Sequence, residues 1–126
     1  MTVRMTVIGL VAAEMDATLE FYRRLGLEFE RMGEGHAQAA LPGGMQLMID
    51  TEAEVRSFRP DWQGQSGRMG LAFECDGPAG VDKMFAEFTE AGYRGVLEPF
   101  DAFWGQRYAT VLDPDGNGVD FYAPLG

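Results

Sequence analysis

Apolar and polar positions follow one succession that runs through the chain twice. Val7-Ile8-Gly9-Leu10-Val11 is short, apolar and rich in β-branched side chains, the pattern of a buried strand. Beyond Asp16, the residues Leu19, Tyr22 and Leu25 recur at helical spacing, and Gly26 stands where a left-handed residue would stop the helix. Leu27-Glu28-Phe29-Glu30 alternates apolar with acidic side chains and predicts a half-exposed strand. A strand pair is predicted over 36–41 and 45–49, joined by the turn Pro42-Gly43-Gly44.

The second half repeats this order. Residues 69–75 predict a strand, and Pro78 opens a helix whose Val81, Met84, Phe85 and Phe88 form a core-facing stripe ended by Gly92. Strands follow around 95–97, 108–112 and 119–122. Val7 and Gly70 match at an offset of 63 residues, and the helix-ending Gly26 and Gly92 at 66, so the second copy has a slightly longer connection. The pattern predicts an α+β fold: one domain of two tandem β-α-β-β-β modules, about 1–52 and 68–126, joined by a polar, turn-rich linker over 53–67. A single module of this size buries too little surface to stand alone, so the two are expected to pack together.

Composition narrows the function. The 126 residues suit one domain, and 46% hydrophobic content is enough for a core. The formal charge of -10 repels phosphate backbones and anionic lipid, so neither nucleic acid nor membrane is an expected partner. One cysteine, Cys75, excludes an internal disulfide and a multi-thiolate metal site, and one histidine, His36, excludes a site needing two imidazoles from one chain. The apolar run after Arg4 resembles a short leader. Its single positive charge and the following Glu14 and Asp16 favour a first strand, and with it a cytoplasmic protein.

Several local motifs have bland readings. Asp113-Pro114-Asp115-Gly116-Asn117-Gly118 opens like a calcium loop, but Pro124 stands where the bidentate Glu is needed, so a tight turn is expected. Gly64-Gln65-Ser66-Gly67-Arg68 is one residue short of a nucleophile elbow. Cys75 reads as a small buried hydrophobe, and His36 as a hydrogen-bonded residue that titrates near neutral pH. Phe100-Asp101-Ala102-Phe103-Trp104-Gly105 is less ordinary, because it sets three aromatics beside an acid. Trp104 either walls a ligand groove or packs between modules.

The tandem order, Phe21-Tyr22 with Leu25-Gly26, and Trp104-Gly105 followed by Asp113-Pro114-Asp115-Gly116-Asn117 together resemble the vicinal oxygen chelate superfamily. That group includes glyoxalase I, extradiol dioxygenases and the bleomycin-resistance proteins. The resemblance implies curved mixed sheets around a concave groove, and metal ligands at positions that fall here on Val7, Gln46, Gly70 and Asp120. Valine and glycine donate nothing, so the resemblance points to the metal-free bleomycin-resistance branch: a binding protein without cofactor that sequesters a small, cationic or aromatic molecule as a homodimer. The ligand-binding residues expected on this reading are Trp104, Phe103 and Trp62 as walls, Asp120, Gln46 and Asp101 as orienting groups, and His36. The alternative is a glyoxalase- or dioxygenase-like lyase or isomerase with a degenerate metal site, using Asp120 or His36 as base.

Overall fold

Strand alternation builds each half of the protein, which we describe from a computed structural model over residues 4–64 and 69–126. The chain divides into two compact units, Met1–Gly64 and Gln65–Gly126. The elbow-like Gly64–Arg68 motif lies largely outside the described residues.

In the first unit, β1 (Val7–Ala12) is followed by α1 (Met15–Arg23), β2 (Glu30–Arg31), β3 (His36–Ala40), a single 3-10 turn (Pro42–Gly44), β4 (Gln46–Thr51) and α2 (Glu52–Phe58). The sheet order is β1-β4-β3-β2, with β1 parallel to β4 and the remaining pairs antiparallel. Leu10, Ala12, Ala37, Ala39, Leu47 and Ile49 fall on one face and are buried. The opposite face is laid out in rungs: Val11–Asp50–His36, Gly9–Met48–Gln38 and Val7–Gln46–Ala40. In α1 the expected Leu19 and Tyr22 are fully buried beside Phe21, and Gly26 takes φ +88° past the helix end.

Two expectations change here. The strand predicted over 27–30 is reduced to Glu30–Arg31, because Leu25, Gly26 and Leu27 still donate their amides back to Tyr22, Arg23 and Tyr22 and so close the end of α1. The linker predicted over 53–67 begins as a helix. Thr51 Oγ1 accepts the Glu54 amide at 3.2 Å, Arg56 pairs with Glu52 at 3.2 Å, and Val55 is buried as α2 lies against β4 and β1. The Thr51-x-x-Glu54 spacing is that of a capping box.

The second unit carries β5 (Gly70–Glu74), α3 (Gly77–Glu90), β6 (Gly95–Ala102), β7 (Gln106–Leu112) and β8 (Gly118–Pro124), with sheet order β5-β8-β7-β6. Again the first and last strands are parallel and the rest antiparallel. Ala109, Val111, Val119, Phe121 and Ala123 are fully buried on the face that α3 covers, and the Phe88 ring stands 5.4 Å from Phe121. Val81 and Phe88 are core as expected, whereas Met84 and Phe85 are only half-buried. The Phe85 ring lies over Gly95, whose missing side chain makes room: a Cβ there would stand 2.5 Å from Phe85 Cζ. The strand expected near 95–97 runs on to Ala102, with register shifts between Gly95 and Leu97 and between Leu97 and Phe100.

The protein is thus α+β, with a four-stranded mixed sheet in each β-α-β-β-β module. Among the described residues, no helix is long and apolar enough to cross a membrane.

Candidate functional site

The face of the second sheet turned away from α3 gathers polar and aromatic groups. Asp120 lies there because Val119 and Phe121, on either side of it, alternate into the core. Thr110, opposite Asp120 in register, donates its hydroxyl to Oδ1 at 2.7 Å. The Tyr108 hydroxyl donates to Oδ2 in a short hydrogen bond. Partial burial, and then the hydrogen bond and negative charge of Asp120, push the Tyr108 phenol up to about 12, so it remains a proton donor.

Aromatic rings continue from Tyr108. Phe103-Trp104-Gly105 forms the turn between β6 and β7, closed by the Gly105 amide on the Ala102 carbonyl at 3.0 Å, with Gly105 at φ +89°. The Trp104 indole meets Tyr108, Phe103 and Phe100 edge-on at 5.3, 5.0 and 6.1 Å between centroids. Its Nε1–H donates to Gln106 Oε1 at 2.8 Å, which fixes the ring plane. Phe103 is 96% exposed and Trp104 48% exposed, an unusual display for rings of this size. Trp104, Phe103 and Asp120 therefore belong to one unit, and Tyr108 bridges Trp104 to Asp120.

Asp101 has a different setting. Its register partner is Arg107, on the α3 side of the sheet, and Arg107 Nη1 reaches it at 3.0 Å while Arg107 Nε holds Asp82 of α3 at 2.9 Å. Trp62, Gln46 and His36 belong to the first unit. Trp62 is covered by the Arg56 guanidinium, 5.3 Å above the ring. His36 faces Asp50 and Gln38, and Asp50, as the first cause, raises the imidazole above 6.5. A cleft of about 530 Å³ also opens in this unit, lined by Glu14, Asp16, Arg31, Glu34 and Glu54 and bridged by Arg31 on Asp16 at 2.6 Å. It contains none of the residues expected to bind a ligand. Burial raises the Cys75 thiol, in keeping with an inert side chain.

Strand register revises the degenerate metal set. Val7 and Gly70 are counterparts at the start of β1 and β5. Gln46, however, pairs with Val7 and Ala40 as Gly118 pairs with Gly70 and Leu112. Gln46 and Asp120 are therefore not counterparts: Met48 fills the register position of Asp120 in the first unit, and Gly118 that of Gln46 in the second. One carboxylate, already bound by two hydroxyls, with a thioether and two residues without donors does not fit a family-type metal centre. Among the described residues, no cluster of three or more His, Cys, Asp or Glu side chains is suited to a metal ion. In the 113–117 turn, Asp113 Oδ1 accepts the amides of Asp115 and Asn117 at 2.9 and 2.8 Å, so the calcium-like motif serves as a turn.

Tyr108, Thr110 and Gln106 are site residues that sequence reasoning did not select. Their signal is period-two alternation: they share parity along β7, on the face that Asp120 occupies in β8.

The family model described as the Glyoxalase/Bleomycin resistance protein/Dioxygenase superfamily matches residues 4–121, and the chain belongs to that superfamily. A glyoxalase-related enzyme from Fulvimarina pelagi has a similar structure, with TM-score 0.85, 19% identity, and coverage of 98% of this chain and 92% of that one. A glyoxalase/bleomycin resistance protein/dioxygenase from Nocardioides gives 0.79 at 22% identity, covering 99% and 85%. Lactoylglutathione lyase from Agrobacterium tumefaciens gives 0.71 at 22%, covering 95% and 92%. No curated protein sequence matches the chain.

Proposed function

We propose that this superfamily member is a metal-independent binding protein of the bleomycin-resistance type, which sequesters a small aromatic cation without altering it. The observation that carries this reading is Asp120, a carboxylate held by Thr110 and the half-buried Tyr108 beside the exposed rings of Trp104 and Phe103. The two hydroxyl donors fix both oxygens in place and leave each with further accepting capacity. A cation is attracted by the carboxylate and again by the ring faces, the latter contributing roughly 0.5–2 kcal/mol. An anion is repelled by both.

The enzymatic alternative has less support. Of the two bases it names, His36 is paired with Asp50 and Gln38, and Asp120 already accepts from Tyr108 and Thr110. Pairing of two copies is part of the proposal, with an expected mass of about 28 kDa in sedimentation, twice the 13.9 kDa chain.

Fluorescence tests the binding reading. Trp62→Phe leaves Trp104 as the reporter, because the chain has two tryptophans. A planar cationic dye should perturb Trp104 emission saturably and more weakly at high salt, and Asp120→Asn should reduce affinity about tenfold, or ~1.4 kcal/mol. Equal responses to the cation and to its neutral and anionic analogues would refute the cationic site.

A further inference from the structure

In the first unit, three polar side chains form a chain along one face of the sheet. His36 opens β3 opposite Asp50, and its Nδ1 lies 2.6 Å from Asp50 Oδ1. Its Nε2 lies 3.2 Å from Oε1 of Gln38, two residues along on the same face. Gln38 in turn occupies the rung of Met48 and Gly9, and Met48 is the counterpart of Asp120.

We infer that Gln38 reads the protonation state of His36 and converts it into a change of hydrogen-bonding character on this face, so that it presents a donor when the ring is charged and an acceptor when the ring is neutral.

Donor counting fixes the protonation state that this arrangement suits. The ring meets a carboxylate oxygen at one nitrogen and an amide oxygen at the other, both acceptors. Only an imidazolium, with N–H on both nitrogens, donates to both. In this form the Gln38 carbonyl is turned inward, and no described residue takes its NH2 group, which is left for a carbonyl or carboxylate oxygen. On deprotonation, Asp50 retains the Nδ1–H and Nε2 gives up its proton, because the carboxylate fixes the tautomer. The Nε2 lone pair then opposes the Gln38 oxygen. The terminal amide torsion is soft and roughly two-fold, so a half-turn brings NH2 inward and presents the oxygen, which suits an N–H group.

The surroundings bias the switch toward the charged form. Asp50 on β4 and Glu54 on α2 both favour the imidazolium, burial opposes it, and the balance lies above 6.5. Glu30 of β2 stands opposite Gln38 in register, while Val11, Gly9 and Met48 bring no charge.

The test uses nitrogen-15 NMR of the whole, ligand-free chain, so its failure is distinct from failure of the ligand reading on the second sheet. Gln38→Leu identifies the Gln38 side-chain amide signals by their loss, and the His36 ring nitrogens are followed through the near-neutral range. Nε2 should lose its proton while Nδ1 keeps it, and the Gln38 NH2 resonances should move with the same midpoint as the ring. In Asp50→Asn both midpoints should fall together. Gln38 signals that stay constant while His36 titrates, or a ring that releases its Nδ1 proton first, would overturn the inference. The titration of the unsubstituted chain, with its Gln38 signals identified by Gln38→Leu, decides this even if Asp50→Asn folds poorly.

Discussion

The Tyr108 hydroxyl bonds to Asp120 and not to the side chain directly opposite in the ladder. The register partner of Tyr108 is Tyr122, yet its hydroxyl reaches diagonally to Asp120, the partner of Thr110. Diagonal neighbours on one face of an antiparallel pair are within reach of long aromatic side chains. Two donors on one strand thereby close on the two oxygens of a single carboxylate.

That arrangement sets a titration. The Tyr108 phenol should ionise near 12 instead of 10, read as the difference between ultraviolet titrations of the parent protein and Tyr108→Phe. Because the folded value is raised, the proton-linked stability is full below 10 and is lost as pH climbs through about 12. Asp120→Asn should bring the phenol back toward 10. An unshifted phenol in the parent protein would contradict the geometry.

The His36–Asp50 pair has its own signature. His36 is raised above 6.5, so the pair stabilises the fold fully below 6.5 and loses that contribution as pH rises through the raised value. Denaturation of Asp50→Asn should therefore show a larger deficit against the parent at about pH 6 than at about pH 9. A deficit that is the same at both would mean that Asp50 acts by packing alone.

Gly95 is predicted to be intolerant of a side chain. Its backbone is not the obstacle; the added methyl would meet Phe85 Cζ at 2.5 Å and Thr89 Cγ2 at 3.0 Å. Gly95→Ala should cost about 1–3 kcal/mol in urea denaturation, the range for overpacking, and Phe85→Leu in the same chain should recover part of it. Full stability in Gly95→Ala would show that the ring moves aside freely.

Metal content follows from the donor set at Val7, Met48, Gly70 and Asp120. Elemental analysis of purified protein should find no stoichiometric nickel, zinc, iron or manganese, and a chelator should leave the melting temperature unchanged. About one metal per chain would require ligands outside these positions.

What the sequence makes legible is local. Gly26 and Gly92 end helices at positive φ, and the parity of Val119, Asp120 and Phe121 separates core from outer face without any knowledge of pairing. Features that depend on which residue faces which are less accessible. Met48 becomes the counterpart of Asp120 only through the β1–β4 and β5–β8 registers. Asp101 stands opposite Arg107 because two register shifts precede it in β6, and no periodicity in the chain announces them. The helix at Glu52–Phe58 escapes a periodicity search because its packing rests on one buried residue, Val55, although its cap is written in Thr51 and Glu54.

The division of labour between the two faces of each strand bears on how such a protein evolves. Along β8 the residues buried in the core and those on the opposite face of the sheet alternate, so a single substitution can alter one set and leave the other intact. Binding chemistry can then drift quickly over a conserved scaffold, and ancestral ligands can vanish with little effect on folding. A one-residue insertion is the change this plan cannot absorb: it would invert the parity downstream, sending Phe121 outward and a charged neighbour into the interior. Diversity within such a lineage should therefore accumulate as substitutions in strands and as length changes in turns.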